Sequence, residues 1–198
     1  MQDLPKFQTA IVGLENGELG ISDEVPLPDL EPDMIIVKTV AVGVNPVDTK
    51  MTGPLGTPGA VAGMDFAGIV AAMGPNVQTA VPIAVGDRVC GAAQGMHSLA
   101  PRVGGLAQWV GAVDHVTLKL PDAMSFEEGA ALGSGISTVG IALFRSLQIP
   151  GYPLQKLADR PRHVLVYGGS TATGTLAVQL IRLFVRLHTP INEDFLIC

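Results

Sequence analysis

Apolar and polar positions change rhythm once along this chain, near residue 122. Before that point, short β-branched runs are separated by glycine and proline. Met34-Ile35-Ile36-Val37-Lys38-Thr39-Val40-Ala41-Val42, bounded by Pro32 and Gly43, predicts the strongest strand. Thr9–Val12, Gly68–Val70, Arg88–Cys90 and Leu106–Val113 predict further short strands. Val85-Gly86-Asp87 supplies a turn before Arg88, and Gly104-Gly105 opens the last of these strands. Many short strands with such turns predict a barrel-like β domain.

Beyond residue 122 the period lengthens. Ser125-Phe126-Glu127-Glu128 has the spacing of a capping box, with an Ala-rich helix behind it. A second helix is predicted from about Ser137-Thr138 to Leu147, with one of those hydroxyls as its N-cap. Ile149 to Pro161 reads as a proline-containing loop, and His163-Val164-Leu165-Val166-Tyr167 as a buried strand. Gly168 to Gly174 reads as a tight turn. Leu176 to Phe184 reads as a helix with Leu176, Leu180, Leu183 and Phe184 on one face. No internal repeat is evident.

Composition narrows the class. Of 198 residues 47% are hydrophobic, too many for a disordered chain, and the length suits one or two compact domains. Cys90 and Cys198 are too few for a disulfide framework or a four-thiolate zinc lobe, and point to a reducing compartment. The net charge of −6 argues against nucleic acid as a partner. Residues 1–100 hold 11 acids against 4 bases and residues 101–198 hold 7 against 8, so the second half is the easier place for an anion. No membrane span is expected. The uncharged stretch Phe66–Gly86 contains Pro75, Asn76, Gln78 and Pro82, and Gly129–Phe144 is too short. The opening Met-Gln-Asp-Leu-Pro-Lys has no basic region leading into an apolar one, so a cytoplasmic protein is expected.

The chemistry-bearing feature is the predicted strand, glycine-rich turn and helix over residues 163–184. Glycines let a backbone turn sharply and approach a pyrophosphate, and the N–H groups at a helix start favour its charge. Ser170, Thr171 and Thr173 add hydroxyls. The spacing Gly168-Gly169-(four residues)-Gly174 departs from G-x-G-x-x-G, so the pattern alone also fits a turn built for packing. The sequence argues against a nucleotide-hydrolysing P-loop, since Thr175-Leu176 stands where Lys-Ser/Thr is required.

Four further segments carry a resemblance. Ala41-Val42-Gly43-Val44-Asn45-Pro46-Val47-Asp48-Thr49-Lys50 resembles the A-x-G-[IV]-N-P-x-D-x-K signature of zinc-independent medium-chain dehydrogenase/reductases. Gly63–Val70, Val85–Val89 and Gly104–Val110 resemble that family's G-x-[ED]-x-A-G-x-V, G-D-R-V and G-x-[FL]-A-[EQ]-[YW]-x segments, in the same order. Gly135-Ile136-Ser137-Thr138 and Tyr167–Gly174 are similar to fungal trans-acting enoyl reductases, which serve polyketide synthases whose own reductase domain is silent. The resemblance covers about residues 7–183. It implies an α/β chain with a GroES-like β-barrel domain over 1–123 and a partial Rossmann domain over 124–198, binding NADPH.

The resemblance also implies roles. Val47, Asp48, Thr49 and Lys50 would lie against the nicotinamide end of the cofactor, with Lys50 on a ribose hydroxyl. By itself Lys50 reads as a solvated lysine, and Asp48 as a loop-organising side chain. Gly168, Gly169, Ser170, Thr171, Ala172 and Thr173 would hold the pyrophosphate. Thr138 would face cofactor and substrate, and Thr138, Val139, Gly140, Ile141, Ala142, Leu143, Phe144 and Arg145 would line the substrate cleft. Lys50 and Thr138 are the candidate catalytic residues. Tyr167 is a weaker proton-donor candidate, equally suited to packing. Zinc-dependent relatives place Cys where Asn45 stands and Gly-His-Glu where Gly63-Met64-Asp65 stands. Asn45 and Met64 cannot replace those ligands, so no metal is expected.

The implied reaction is NADPH-dependent reduction of an α,β-unsaturated thioester carried by the acyl carrier protein of a polyketide synthase, by a monomeric enzyme. A quinone or enone reductase is the close variant. After Leu183 the resemblance ends, where relatives continue into a second parallel strand. Glu193 and Asp194 fall where a ribose-binding acid would stand, but no clean strand precedes them. A truncated chain is therefore expected, and an inactive remnant is the alternative reading.

Overall fold

The computed structural model describes residues 4–149 and 164–186. The loop expected beyond Ile149, the start of the expected strand at His163 and the tail 187–198 lie outside the described residues. The chain divides into two units, Met1–Ser134 and Gly135–Cys198.

The first unit is built on a five-stranded antiparallel sheet. Its strands are β3 (Met34–Gly43), β4 (Asp65–Met73), β5 (Arg88–Ala92), β6 (Trp109–Val113) and β7 (Thr117–Lys119), in the spatial order β6-β3-β4-β5-β7. A second sheet pairs β1 (Phe7–Gly13) with β2 (Leu19–Pro26). Single bridges tie β1 to Ala107 and Val61, in the segments that lead into β6 and β4. The strand expectations hold in place, with β4 longer and β6 shorter than predicted. β2 and β7 were not predicted. β2 mixes apolar with polar residues and fully buries only Val25, and β7 has only three residues, so neither carries a hydrophobic signal.

β3 explains why its sequence was so legible. Met34, Ile35, Ile36 and Val37 are all buried, because both faces of this half of the strand are covered. Ile35 and Val37 join Phe66, Val70, Val89, Val110 and Ala112 in the main core. The register against β4 then slips between Thr39 and Ala41, and Val40 and Val42 are exposed.

The passage from sheet to helix is held by Arg88. Its guanidinium donates to the carbonyls of Pro121 (3.0 Å), Asp122 (3.1 Å) and Met124 (2.6 Å), and lies 4.4 Å from the centre of the Phe126 ring. Helix α1 (Phe126–Ala130) begins at the predicted capping box. Ser125 Oγ accepts from Glu128 N–H, and Glu128 accepts from Ser125 N–H. α1 packs back on the sheet through Ala130, against Ala67, Cys90 and Leu120. Cys90 is thus a core residue, and burial followed by the charge of Asp65 pushes its thiol pKa up.

Helix α2 (Gly133–Gly140) continues into a π-helical stretch, Ile141–Ser146, closed by Gln148 in a left-handed conformation (φ 49°). Helix α3 spans Ala172–Arg186. Three expectations are corrected. α2 starts four residues before Ser137, because Asp65 caps its first turn from the sheet. Ser137 and Thr138 are interior helix residues and not N-caps. α3 starts at Ala172, because Thr171 caps it, and its buried face is Ala177 and Ile181 with Leu176 and Leu180 beside them, while Leu183 is exposed. Val164–Tyr167 does not form the expected strand: among the described residues there is only a single bridge at Val166, since a strand requires a paired neighbour along its length.

The turn before β5 yields an acid-sensitive stability term. Asp87 accepts from Lys119 Nζ (2.8 Å) and Ala84 N–H (2.8 Å), and these bonds, the lysine first, hold its pKa below the usual carboxylate value. A depressed carboxylate stabilises above its unfolded pKa and loses that contribution as pH falls through the folded one. D87N is therefore expected to melt below the unmodified chain at neutral pH. The gap in Tm should close as pH drops below about 4, read by circular dichroism at stepped pH.

Candidate functional site

Two groups of candidate residues are described, one in each unit. In the first unit, the Asn45–Lys50 segment follows β3 directly and forms a compact turn. Asp48 N–H donates to Asn45 C=O (3.0 Å), Lys50 N–H to Val47 C=O (2.9 Å) and Met51 N–H to Val47 C=O (3.1 Å). Thr49 Oγ1 donates to Pro46 C=O (3.0 Å). Asp48 is buried, and its Oδ2 accepts from Asn45 N–H at 2.7 Å. Its side chain therefore organises the turn. Burial pushes the Asp48 pKa up, the Asn45 N–H partly offsets this, and the nearby Asp65 charge raises it further. Val47, Thr49 and Lys50 are exposed.

Beneath this turn lies a carboxylate that the sequence reading did not select. Asp65, the first residue of β4, is 4% exposed yet charged, and among the described residues donors from Asn45 and Ser134 meet it. Asn45 Nδ2 donates to Oδ2 at 2.8 Å, Ser134 Oγ donates to Oδ2 at 2.7 Å, and Ser134 N–H donates to Oδ1 at 2.5 Å. Ser134 is the second residue of α2, so this N–H is one of those a helix leaves without an internal partner. The usable signal was a lone acid inside the apolar run from Ala60 to Ala72, since such residues are buried only when paired.

The close approach of α2 to the sheet depends on Gly133. A Cβ there would run into the carbonyl oxygen of Gly91 and come within 2.7 Å of Asp65 Oδ1.

In the second unit, Gly168 to Thr171 forms the turn before α3. Gly168 has φ +78°, which favours glycine. Thr171 N–H and Thr171 Oγ1 both donate to Gly168 C=O, at 3.0 and 2.8 Å. Thr171 Oγ1 accepts from Gly174 N–H at 3.0 Å, an N-cap bond. Gly174 has no room for a side chain, because a Cβ would strike the Gly168 carbonyl oxygen. The Thr171 hydroxyl is therefore committed to the turn. The N–H groups of Ala172 and Thr173 are left without an intrahelical acceptor, and Ser170, Ala172 and Thr173 are exposed. This loop has the form and the donors for an anionic phosphate.

The Thr138–Arg145 segment divides by burial. Val139 and Leu143 pack with Ala177 and Ile181, and Phe144 is half-buried beside them, so these side chains hold α2 and α3 together. Thr138, Ile141, Ala142 and Arg145 are exposed, and Gly140 is half-buried. Tyr167 is 90% exposed, so packing does not fix its ring. Among the described residues, no group of three or more His, Cys, Asp or Glu could hold a metal ion, and no helix is long and apolar enough to cross a membrane.

Residues 31–122 match the alcohol dehydrogenase GroES-like domain. The chain is 60% identical over 183 residues to trans-enoyl reductase FSL5 of Gibberella zeae, covering 92% of this chain and 51% of that protein. It is 53% identical over 176 residues to trans-enoyl reductase eqxC of Fusarium heterosporum, covering 89% and 49%. A mycobacterial protein solved in complex with NADPH is 30% identical with a TM-score of 0.60, covering 89% of this chain and 50% of that one. The chain thus spans about half the length of the curated relatives it matches.

Two substitutions test these geometries. T171A should cost about 1 kcal/mol in α3 stability, with T171S recovering most of it, measured by amide exchange within the helix. G133A should destabilise the first unit by about 1–3 kcal/mol in urea unfolding, because the Gly91 carbonyl lies on a paired strand and cannot move aside freely.

Proposed function

This chain belongs to the medium-chain dehydrogenase/reductase family, and we propose that it contributes the GroES-like domain and the phosphate-binding turn of an NADPH-dependent trans-acting enoyl reductase. The substrate would be an α,β-unsaturated thioester presented on the acyl carrier protein of a polyketide synthase. The observation that carries this reading is the 60% identity, over 92% of the chain, to a protein named as a trans-enoyl reductase. The NADPH-bound neighbour supports the choice of cofactor.

The residues present fit a dinucleotide. The Gly168–Thr173 turn offers the free N–H groups of Ala172 and Thr173 and the hydroxyls of Ser170 and Thr173 to a pyrophosphate. No hydrogen bond or ion pair among the described residues holds the Lys50 ammonium, which is exposed beside Val47 and Thr49 and suits a ribose hydroxyl or phosphate oxygen. NADPH, when bound, supplies the hydride for the β-carbon of the enoyl thioester.

The residues of the chain do the rest. Lys50 binds and raises the local positive potential, which favours charge developing on the thioester oxygen. Thr138, exposed on α2, offers a hydroxyl to the substrate carbonyl or the nicotinamide amide. Ile141 and Ala142, also exposed, give the acyl chain an apolar wall, with Arg145 at its end.

Titration of the 198-residue chain with NADPH, followed by nicotinamide fluorescence, should show saturable binding. K50A should weaken that binding about tenfold, the loss expected for one charge-assisted hydrogen bond. A crotonyl thioester should then accelerate NADPH consumption. Absence of saturable NADPH binding by the unmodified chain would refute the cofactor assignment for this stretch of sequence.

A further inference from the structure

We infer that Asp65 is a positioning residue: through Asn45 it sets the conformation of the Val47–Lys50 turn. The inference rests on the cofactor reading of that turn. Among the described residues the donors found on Asp65 are Asn45 Nδ2, Ser134 Oγ and Ser134 N–H, so its tie to the turn runs through Asn45.

Asn45 is gripped twice, at its backbone N–H by Asp48 Oδ2 (2.7 Å) and at its side-chain amide by Asp65 Oδ2 (2.8 Å). It is thus tied both to the turn itself and to the sheet below. Downstream, the N–H groups of Lys50 and Met51 converge on the Val47 carbonyl. Since the Lys50 side chain has no partner among the described residues, the backbone that carries it sets the origin and direction of the side chain, and so the region its ammonium can reach. That backbone is anchored through Asn45.

The same carboxylate holds the first turn of α2 through Ser134, so Asp65 could in principle serve the helix alone. The two ties are separable. N45A cuts only the link to the turn and leaves both Ser134 bonds. S134A removes only one bond to the helix and leaves the link to Asn45.

The test is a double-mutant cycle on NADPH affinity. N45A and K50A should each raise the NADPH Kd about tenfold, and the double variant should lose no more than either alone, because Asn45 acts through Lys50. A role in stability alone would leave the Kd of N45A unchanged or make the two losses multiply, and either result overturns the proposal. Amide exchange on the same proteins gives a readout independent of cofactor. In N45A the Lys50 and Met51 amides should exchange about tenfold faster while the β3–β4 amides keep their rates, and in S134A all of these should keep their rates. Unchanged exchange at Lys50 and Met51 overturns the proposal. If the unmodified chain binds no NADPH, the cofactor reading fails, and the exchange comparison still decides whether Asp65 holds the turn. Should N45A not fold, N45S carries the same comparison, since serine is too short to reach Asp65.

Discussion

A charged carboxylate with almost no contact with water must be met by donors on every side, and Asp65 imposes that requirement on the centre of the first unit. Its donors come from the turn after β3 and from the start of α2. Removing either set would leave a buried charge short of partners, at a cost well above that of a surface hydrogen bond. The residues around it follow. Gly133 keeps space for Asp65 Oδ1 and the Gly91 carbonyl, Asp48 carries a raised pKa partly because Asp65 is near, and Cys90 sits in the same field. One ionised group thus joins a sheet, a turn and a helix that are far apart in sequence.

The second unit solves its local problem differently. Four donors are left over at the start of α3. Thr171 uses its own N–H and accepts that of Gly174, bending the chain through Gly168 to do so. The N–H groups of Ala172 and Thr173 remain without an intrahelical acceptor. The helix end is therefore partly capped by the protein and partly open, as an anion site requires. The Thr171 hydroxyl is consumed in building the turn, while Ser170 and Thr173 stay exposed.

Much of this was legible in the sequence. The strands β1, β3, β4, β5 and β6, the capping box at Ser125–Glu128 and the glycine turn at 168–174 were read from local signals, because each rests on neighbouring residues. A β-branched run, a Ser three residues before a Glu, and closely spaced glycines state their roles without distant help. The family resemblance likewise rested on contiguous motifs, Asn45–Lys50 among them. β2 and β7 escaped because the first buries a single side chain and the second is too short to mark a buried face.

What the sequence could not supply were contacts made by residues far apart in the chain. The start of α2 was misplaced by four residues because its cap is Asp65, 69 positions away from Ser134. The exposed half of Thr138–Arg145 could be separated from its packed half only once α3 was seen against Val139 and Leu143. The sequence by itself determined the fold class and the elements whose signals are local. The tertiary structure alone decided which polar groups are paired, since a hydrogen bond or a buried charge is satisfied by proximity in space.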